Sequence, residues 1–246
     1  MPTFYTRLLP LLGGLSSLAS LAHAQTTFAI GPRVGLTLAG ASYKGSANDL
    51  PGGTSSVAYK AGGEAGLMAS VSQGHFALQP ALLFTQHRYR IADDHQEFHG
   101  PILHYTSQTD YRFDYLTLPI NVAYQAKADG QGAQVFAGGY VGMLLGGHTS
   151  GSGTVVVDNL PGAPYTTDAD IKPGNKFMQN SNDFYSKRFD AGVQAGVGYR
   201  YNRFLVQATY RIGLVNVEAA NPYSMNNPTC YNRSVQASLV YLFEKL

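Results

Sequence analysis

The chain has 246 residues, a formal net charge of +2 and only 13% charged residues, about half the roughly 25% usual for a soluble domain. That balance argues against an ordinary water-exposed surface, and +2 carries no nucleic-acid signature. Mean hydropathy is -0.12 and no run of about 20 apolar residues follows the N-terminus, which excludes helical membrane spans.

The N-terminus reads as a cleaved secretory signal over residues 1–24. Arg7 is the positive start and Leu8–Leu21 a short apolar stretch broken by Pro10 and Gly13-Gly14. Ala22-His23-Ala24 is a small-x-small cleavage site. The mature chain is expected to begin at Gln25, with no Cys there for a lipid anchor, and to form one domain over 25–246. Cys230 is the single cysteine; it falls in an expected loop and permits no internal disulfide.

Eight segments alternate with period 2, the signature of strands with one apolar face. The first, about Thr27–Ala39, sets Phe28, Ile30, Val34, Leu36 and Leu38 against Ala29, Gly31, Arg33, Gly35 and Thr37. After a loop over 40–56, the second, about Val57–Val71, sets Tyr59, Ala61, Ala65, Leu67 and Val71 against Lys60, Gly62, Glu64, Gly66 and Met68. Ser72-Gln73-Gly74 is a tight turn. The third, about His75–Ile91, sets Phe76, Leu78, Leu82 and Phe84 against Gln79, Ala81, Leu83, Thr85 and His87, and a charged loop follows over 92–108.

The fourth strand, about Thr109–Ala126, holds the clearest alternation of the chain: Leu116, Leu118, Ile120, Val122 and Tyr124 against Tyr115, Thr117, Pro119, Asn121 and Ala123. Pro119 removes a backbone donor and should sit at a bulge or weak point. Asp110, Arg112 and Asp114 occupy the parity that later turns apolar, so this end should rise above the membrane. The fifth, about Ala133–Gly147, has the weakest parity, with Val135, Val141 and Leu145 against Phe136, Tyr140 and Leu144. The longest loop, 148–185, includes Thr154–Val157 as a possible short strand. The sixth, about Ser186–Arg200, sets Phe189, Val193, Val197 and Tyr199 against Asp190, Gln194, Gly196 and Arg200. The seventh, about Arg203–Val217, sets Phe204, Val206, Tyr210 and Ile212 against Leu205, Gln207, Thr209 and Arg211. The eighth, about Asn232–Phe243, sets Val235, Leu239, Tyr241 and Phe243 against Ser234, Gln236 and Ser238.

The connections run long, short, long, short, long, short, long. This pattern, with an even strand number, predicts an all-β fold: an eight-stranded antiparallel up-and-down transmembrane β-barrel. Both termini and the short turns should then lie in the periplasm and four long loops outside the bacterial outer membrane. A soluble lipocalin-like lipid-binding barrel would bury the same apolar face. Three features favour lipid outside. The apolar parity carries no Asp, Glu, Lys or Arg within the expected spans. The other parity is Gly, Gln, Ser and Thr rather than the Lys and Glu of a water-facing surface. Aromatic residues form an inner-end girdle, Phe28, Phe76, Tyr124, Tyr199, Phe204 and Phe243, and an outer one, Tyr59, Phe84 and Phe189, as membrane interfaces require.

Eight strands leave a bore only wide enough for side chains. The inward set predicts a structural charge network of Arg33, Lys60, Glu64, Asp190, Arg200 and Arg211, with Glu64 and Asp190 bridging Arg and Lys, because buried charges must be paired. A filled lumen implies a structural or interaction role; a narrow small-solute channel is the competing reading.

The strand set resembles the PorT-like family of Bacteroidota outer-membrane proteins. The matching pieces are Tyr115-Leu116-Thr117-Leu118-Pro119, Gly192-x-x-x-Gly196-x-Gly198-Tyr199, Tyr210-Arg211-x-Gly213-Leu214 and Tyr241-Leu242-Phe243. The resemblance implies an eight-stranded outer-membrane barrel and recognition by the barrel-assembly machinery. It implies no activity, since a role does not transfer on fold alone. Glu244-Lys245-Leu246 after Phe243 departs from a strictly aromatic C-terminus.

Three chemistries are weighed and set aside. His95, His99 and His104 with Asp93, Asp94 and Glu97 match no zinc spacing. Asp158, Asp168, Asp170 and Asp183 lack the order of a calcium loop. His87, His148, Ser150 and Asp110 would be the parts of a rim hydrolase, but no nucleophile stands beside a base. No catalytic, metal or cofactor site is expected, and no cofactor.

Overall fold

The computed structural model describes residues 26–44, 53–98, 102–158, 160, 162, 164–175, 182–220 and 228–244. The expected signal segment therefore lies outside the described residues. Eleven strands follow in order: β1 Thr26–Lys44, β2 Thr54–Gln73, β3 Phe76–Phe98, β4 Ile102–Gln125, β5 Gly132–Val157, β6 Pro164–Pro173, β7 Phe184–Ser186, β8 Phe189–Tyr201, β9 Phe204–Gly213, β10 Thr229–Tyr241 and β11 Phe243–Glu244.

Eight of these close a ring. Hydrogen-bonded neighbours run β1–β2–β3–β4–β5–β8–β9–β10 and back to β1, all antiparallel. Closure leaves no edge within the ring and pairs the backbone inside the wall, which a chain surrounded by lipid requires. After Leu242, β11 continues β10 and pairs with the start of β1, Ile30 against Phe243. The β2–β3, β4–β5 and β8–β9 connections are short and lie at one end. Gly74 (φ 57) and Asn202 (φ 53) take the left-handed conformation in the first and last of them, which Gly and Asn adopt most readily.

The alternation sets the wall. Leu36, Leu82, Val122, Val141, Val197, Val206 and Leu239 project outward and are exposed, while Arg33, Thr37, Leu83, Thr117, Phe136, Gln194 and Gln207 point in and are buried. Pro119 interrupts the β3–β4 ladder, whose pairs jump from Pro80↔Ile120 to Leu83↔Thr117, yet the register continues unchanged. The proline weakens pairing without the bulge that would be the other way to house it.

Several expectations are corrected. The charged stretch 92–108 is not a loop: β3 and β4 rise together past the ring, pairing as far as Phe98↔Ile102. The segment expected as the longest loop is largely strand. β5 runs on to Val157, pairing β8 up to Met143 and β6 from Gly147 to Thr154. The fork follows from one extra residue, Leu145, at the register shift between Asp114 and Tyr115. The strand of Phe204 ends at Gly213 rather than Val217, and Cys230 lies within β10, fully buried. Charged and polar residues alternate there with no apolar face, so periodicity alone cannot announce a strand that has left the bilayer.

Candidate functional site

The lumen is layered. At its centre Arg33 donates from Nε to Glu64 Oε1 at 2.8 Å and from Nη1 to Gln207 Oε1 at 3.0 Å. Gln207 passes the chain to Gln79 at 3.1 Å, and Gln79 to Gln134 at 3.1 Å. A second group crosses the bore above it. Arg211 Nε donates to Gln194 Oε1 at 3.0 Å, and Gln194 to Asn121 Oδ1 at 2.7 Å. The Arg211 guanidinium lies 4.5 Å from the centre of the Tyr140 ring, a cation–π contact strengthened by exclusion of water. Glycines make room for it: a Cβ at Gly192 would collide with the Ile212 carbonyl and press on the Tyr140 ring.

Two apolar layers bound this polar one. Toward the short turns lie Ala29, Met68, Leu205, Val240 and Leu242. Toward the long connections lie Tyr89, Phe113, Tyr115, Leu144, Ile171, Val217 and Cys230. Tyr89 and Phe113 stack with centroids 5.6 Å apart, as do Phe113 and Tyr115 at 6.3 Å. Several atoms of the polar layer have no hydrogen-bond partner among the described residues, including Glu64 Oε2, Arg211 Nη1 and Nη2, and both ring nitrogens of His87. These are the atoms to which internal water bonds in other folded interiors.

Of the six charged residues expected in one lumen network, the structure joins only Arg33 and Glu64 as an ion pair. Asp190 is buried but bridges no cation among the described residues; it accepts from Tyr140 Oη at 3.0 Å and Asn232 Nδ2 at 2.9 Å. Arg211 answers to Gln194 and Tyr140 instead. Arg200 is buried at the short-turn end and donates to the Asn202 carbonyl at 3.0 Å, away from the central pair. Lys60 is not in the lumen. One extra residue between Lys60 and Glu64 shifts β2 against β3 and sets Lys60 opposite the outward Arg88, and its ammonium reaches Asp110 Oδ1 at 2.6 Å on the outer face. Asn121 and Asn232, which complete the network, share the inward parity of Gln207 and were legible by that signal alone.

Phe28, Phe76, Tyr124, Tyr199, Phe204 and Phe243 all face outward at the short-turn end, between 45% and 60% exposed. Phe76 meets Tyr124 edge-on at 5.5 Å, and Tyr241 bridges Phe204 and Phe243 at 5.1 and 4.9 Å. Phe84 and Phe189 face outward toward the other end; Tyr59, expected with them, is 45% exposed but, beyond the shift that turns Lys60 out, stands opposite the inward Tyr89.

Above that outer girdle the wall turns polar. Arg90 grips Asp110 through two bonds of 2.9 and 2.6 Å. The Arg90 hydrogen bond, helped by Lys60, holds the Asp110 carboxyl down at about 2. Gln86 donates to Asp114 at 3.0 Å. The residues weighed for chemistry do not assemble. His87 is not at the rim but buried in the lumen beside Tyr115. His148 faces Asp168 and Asp170 at 3.6 and 3.4 Å, and His104 pairs with Asp94 at 2.7 Å. His99 lies outside the described residues. Among the described residues no three His, Cys, Asp or Glu side chains converge as a metal site.

The family model for the outer membrane protein beta-barrel domain matches residues 23–218. None of the curated protein sequences matches the chain. Among solved structures it is similar to Ail, the attachment invasion locus protein of Yersinia pestis, at 9% identity and a TM-score of 0.39, covering 87% of this chain and 98% of that one. It is similar to Neisserial surface protein A at 12% identity and a TM-score of 0.37, covering 89% and 99%. Likeness at this level speaks to neither activity nor ligand.

Proposed function

Because the chain belongs to the outer membrane protein beta-barrel domain family and is therefore an outer-membrane β-barrel protein, we propose that it is a non-conducting, non-enzymatic anchor that carries an interaction surface. In this reading both termini and the short turns face the periplasm. The extended β3–β4–β5–β6 sheet faces outward from the cell and meets partners there. The ordered Tyr115–Pro119 and Gly192–Tyr199 motifs favour a place near PorT-like members. The barrel-assembly machinery inserts the chain, and outer-membrane lipid surrounds it.

One observation carries this: the bore is crossed at mid-height by hydrogen-bonded Arg33, Gln207 and Gln79 and roofed by stacked Tyr89, Phe113 and Tyr115. A solute would have to part a charged, buried network to pass, separating charges that are paired inside the bore. Beyond the membrane the sheet offers a polar groove of about 520 Å³ lined by Thr54, Asp94, Thr106, Gln108, Ser152 and Thr154, which suits a hydrogen-bonding partner rather than an apolar one. Planar-bilayer recording tests the reading. Purified, folded protein should give no discrete steps, and reproducible unitary conductance would replace the anchor with a channel.

A further inference from the structure

We propose that Lys60, Arg88 and Arg112 form a docking site for the phosphate groups of anionic lipid in the outer leaflet. This rests on the outward-facing, lipid-surrounded barrel of the preceding reading and assigns it a specific lipid contact.

The starting observation is a register row. Lys60 stands opposite Arg88, and Arg88 opposite Arg112, so three cations lie side by side on adjacent strands. Like charges directly opposite each other destabilise a sheet. Such a row persists where something negative faces it. The side chains are available: Arg88 is exposed between the inward His87 and Tyr89, and the Arg112 side chain is 46% exposed, with only a 3.6 Å approach to Asp114. Arg88 makes no hydrogen bond or ion pair among the described residues. In the adjoining rows Asp110 is shared by Arg90 and Lys60 and Asp114 is held by Gln86. Four cations therefore face two carboxylates on this part of the wall, before His148 with Asp168 and Asp170 at the β6 edge.

Height identifies the ligand. The last apolar outward pair below the row is Phe84 opposite Leu116. From Phe84 to Arg88 is four residues, roughly 13 Å along a strand, shortened to about 10 Å by a tilt of roughly 40°. That sets the backbone of the row a few Å past a headgroup layer of roughly 5–7 Å, and the long Arg and Lys side chains reach back to bring their charges into it. They look sideways into the leaflet, not up into solvent or into the bore. Planar guanidinium forks suit phosphate oxygens, with Lys60 as a point charge. The two register shifts, at Lys60/Glu64 and at Asp114/Tyr115, fall just below the row. The first of them turns Lys60 out to join it.

The test uses the full mature protein folded in detergent, with heat-modifiable gel mobility as the control for the barrel itself. Bisphosphorylated lipid A and its dephosphorylated form are the two probes. Wild type should retain the phosphorylated probe about tenfold more tightly than Lys60→Gln/Arg88→Gln/Arg112→Gln, with affinity falling as salt rises, and should not distinguish itself from the variant on the dephosphorylated probe. Arg88→Gln alone should give part of the loss in a protein that keeps every ion pair. Equal retention by wild type and a correctly folded triple variant overturns the proposal. Full competition by millimolar inorganic phosphate would also overturn it, assigning the row to a free anion. Loss of heat-modifiability in the wild type would instead count against the barrel reading underneath.

Discussion

Arg33 and Glu64 meet through a single 2.8 Å bond inside the bore, with side chains 2% and 0% exposed. One comes from β1 and the other from β2, and Gly35 stands opposite Glu64 in the register, so no side chain intervenes. Removing one partner leaves the other charge buried and unpaired, while removing both removes the problem. Arg33→Leu should therefore destabilise the barrel by roughly 3–5 kcal/mol, and Arg33→Leu/Glu64→Leu by clearly less. Urea titrations of the folded protein in lipid vesicles, with the two single variants completing the cycle, check this. A double variant as unstable as the sum of the singles would contradict the pairing.

Glu218 gives a pH dependence outside the bilayer. It sits in the connection after β9, bridged to Ser186, where Lys187 and Val217 are also joined backbone to backbone at 2.8 Å. Burial raises its carboxyl from 4.5 to about 7, against the pull of Lys187; Tyr43, Tyr89, Tyr111 and Cys230 lie on the elements around it. Below 4.5 folded and unfolded forms both hold the proton. Between 4.5 and about 7 only the folded form does, so its contribution is full at low pH and is lost as pH rises through that window. Amide exchange over residues 214–220 should accelerate from pH 5 to pH 8 beyond the intrinsic base-catalysed rate. Glu218→Gln should remove that excess. An unchanged profile in the variant would show that another group titrates.

Cys230 is sealed within the aromatic layer, 3.5 Å from the Tyr89 hydroxyl. Burial pushes its thiol up to about 12, so the thiolate that reacts is scarce and shielded. Maleimide should label the folded protein slowly and the urea-unfolded protein at the rate of a free thiol. Rapid labelling of the folded form would place Cys230 in solvent, where an intermolecular disulfide becomes possible.

The barrel was legible wherever one face met lipid and the other the bore. There, as in Leu116–Tyr124, hydrophobicity alternates because the two environments differ, and strand, face and girdle follow. Legibility failed for three physical reasons. A bulge leaves no mark in a stretch as bland as Ala61-Gly62-Gly63, so parity alone puts Lys60 on the wrong face. Strands above the bilayer meet water on both sides, so β3, β4 and β5 beyond Ile91, Thr109 and Gly147 read as loop. Parity also carries no height, so Arg200 and Arg33 share an inward face without being able to meet, and nothing in the alternation tells that His87 lies deep in the bore rather than at the rim. Asp190 meets the same limit: its partners are Tyr140 on the adjacent β5 and Asn232 on β10, a choice set by the ring's register rather than by charge.

Sidedness is the central claim, and nitroxide accessibility reads it directly. Spin labels at Leu36, Val122 and Val206, which point outward between the two girdles, should collide freely with oxygen and hardly at all with a water-soluble nickel chelate, since oxygen concentrates in hydrocarbon and the chelate stays in water. A label at exposed Ser152 on the protruding sheet should show the reverse. Chelate-dominated collisions at Leu36, Val122 and Val206 in the reconstituted protein would mean that the apolar wall does not face lipid, and the membrane account would fail.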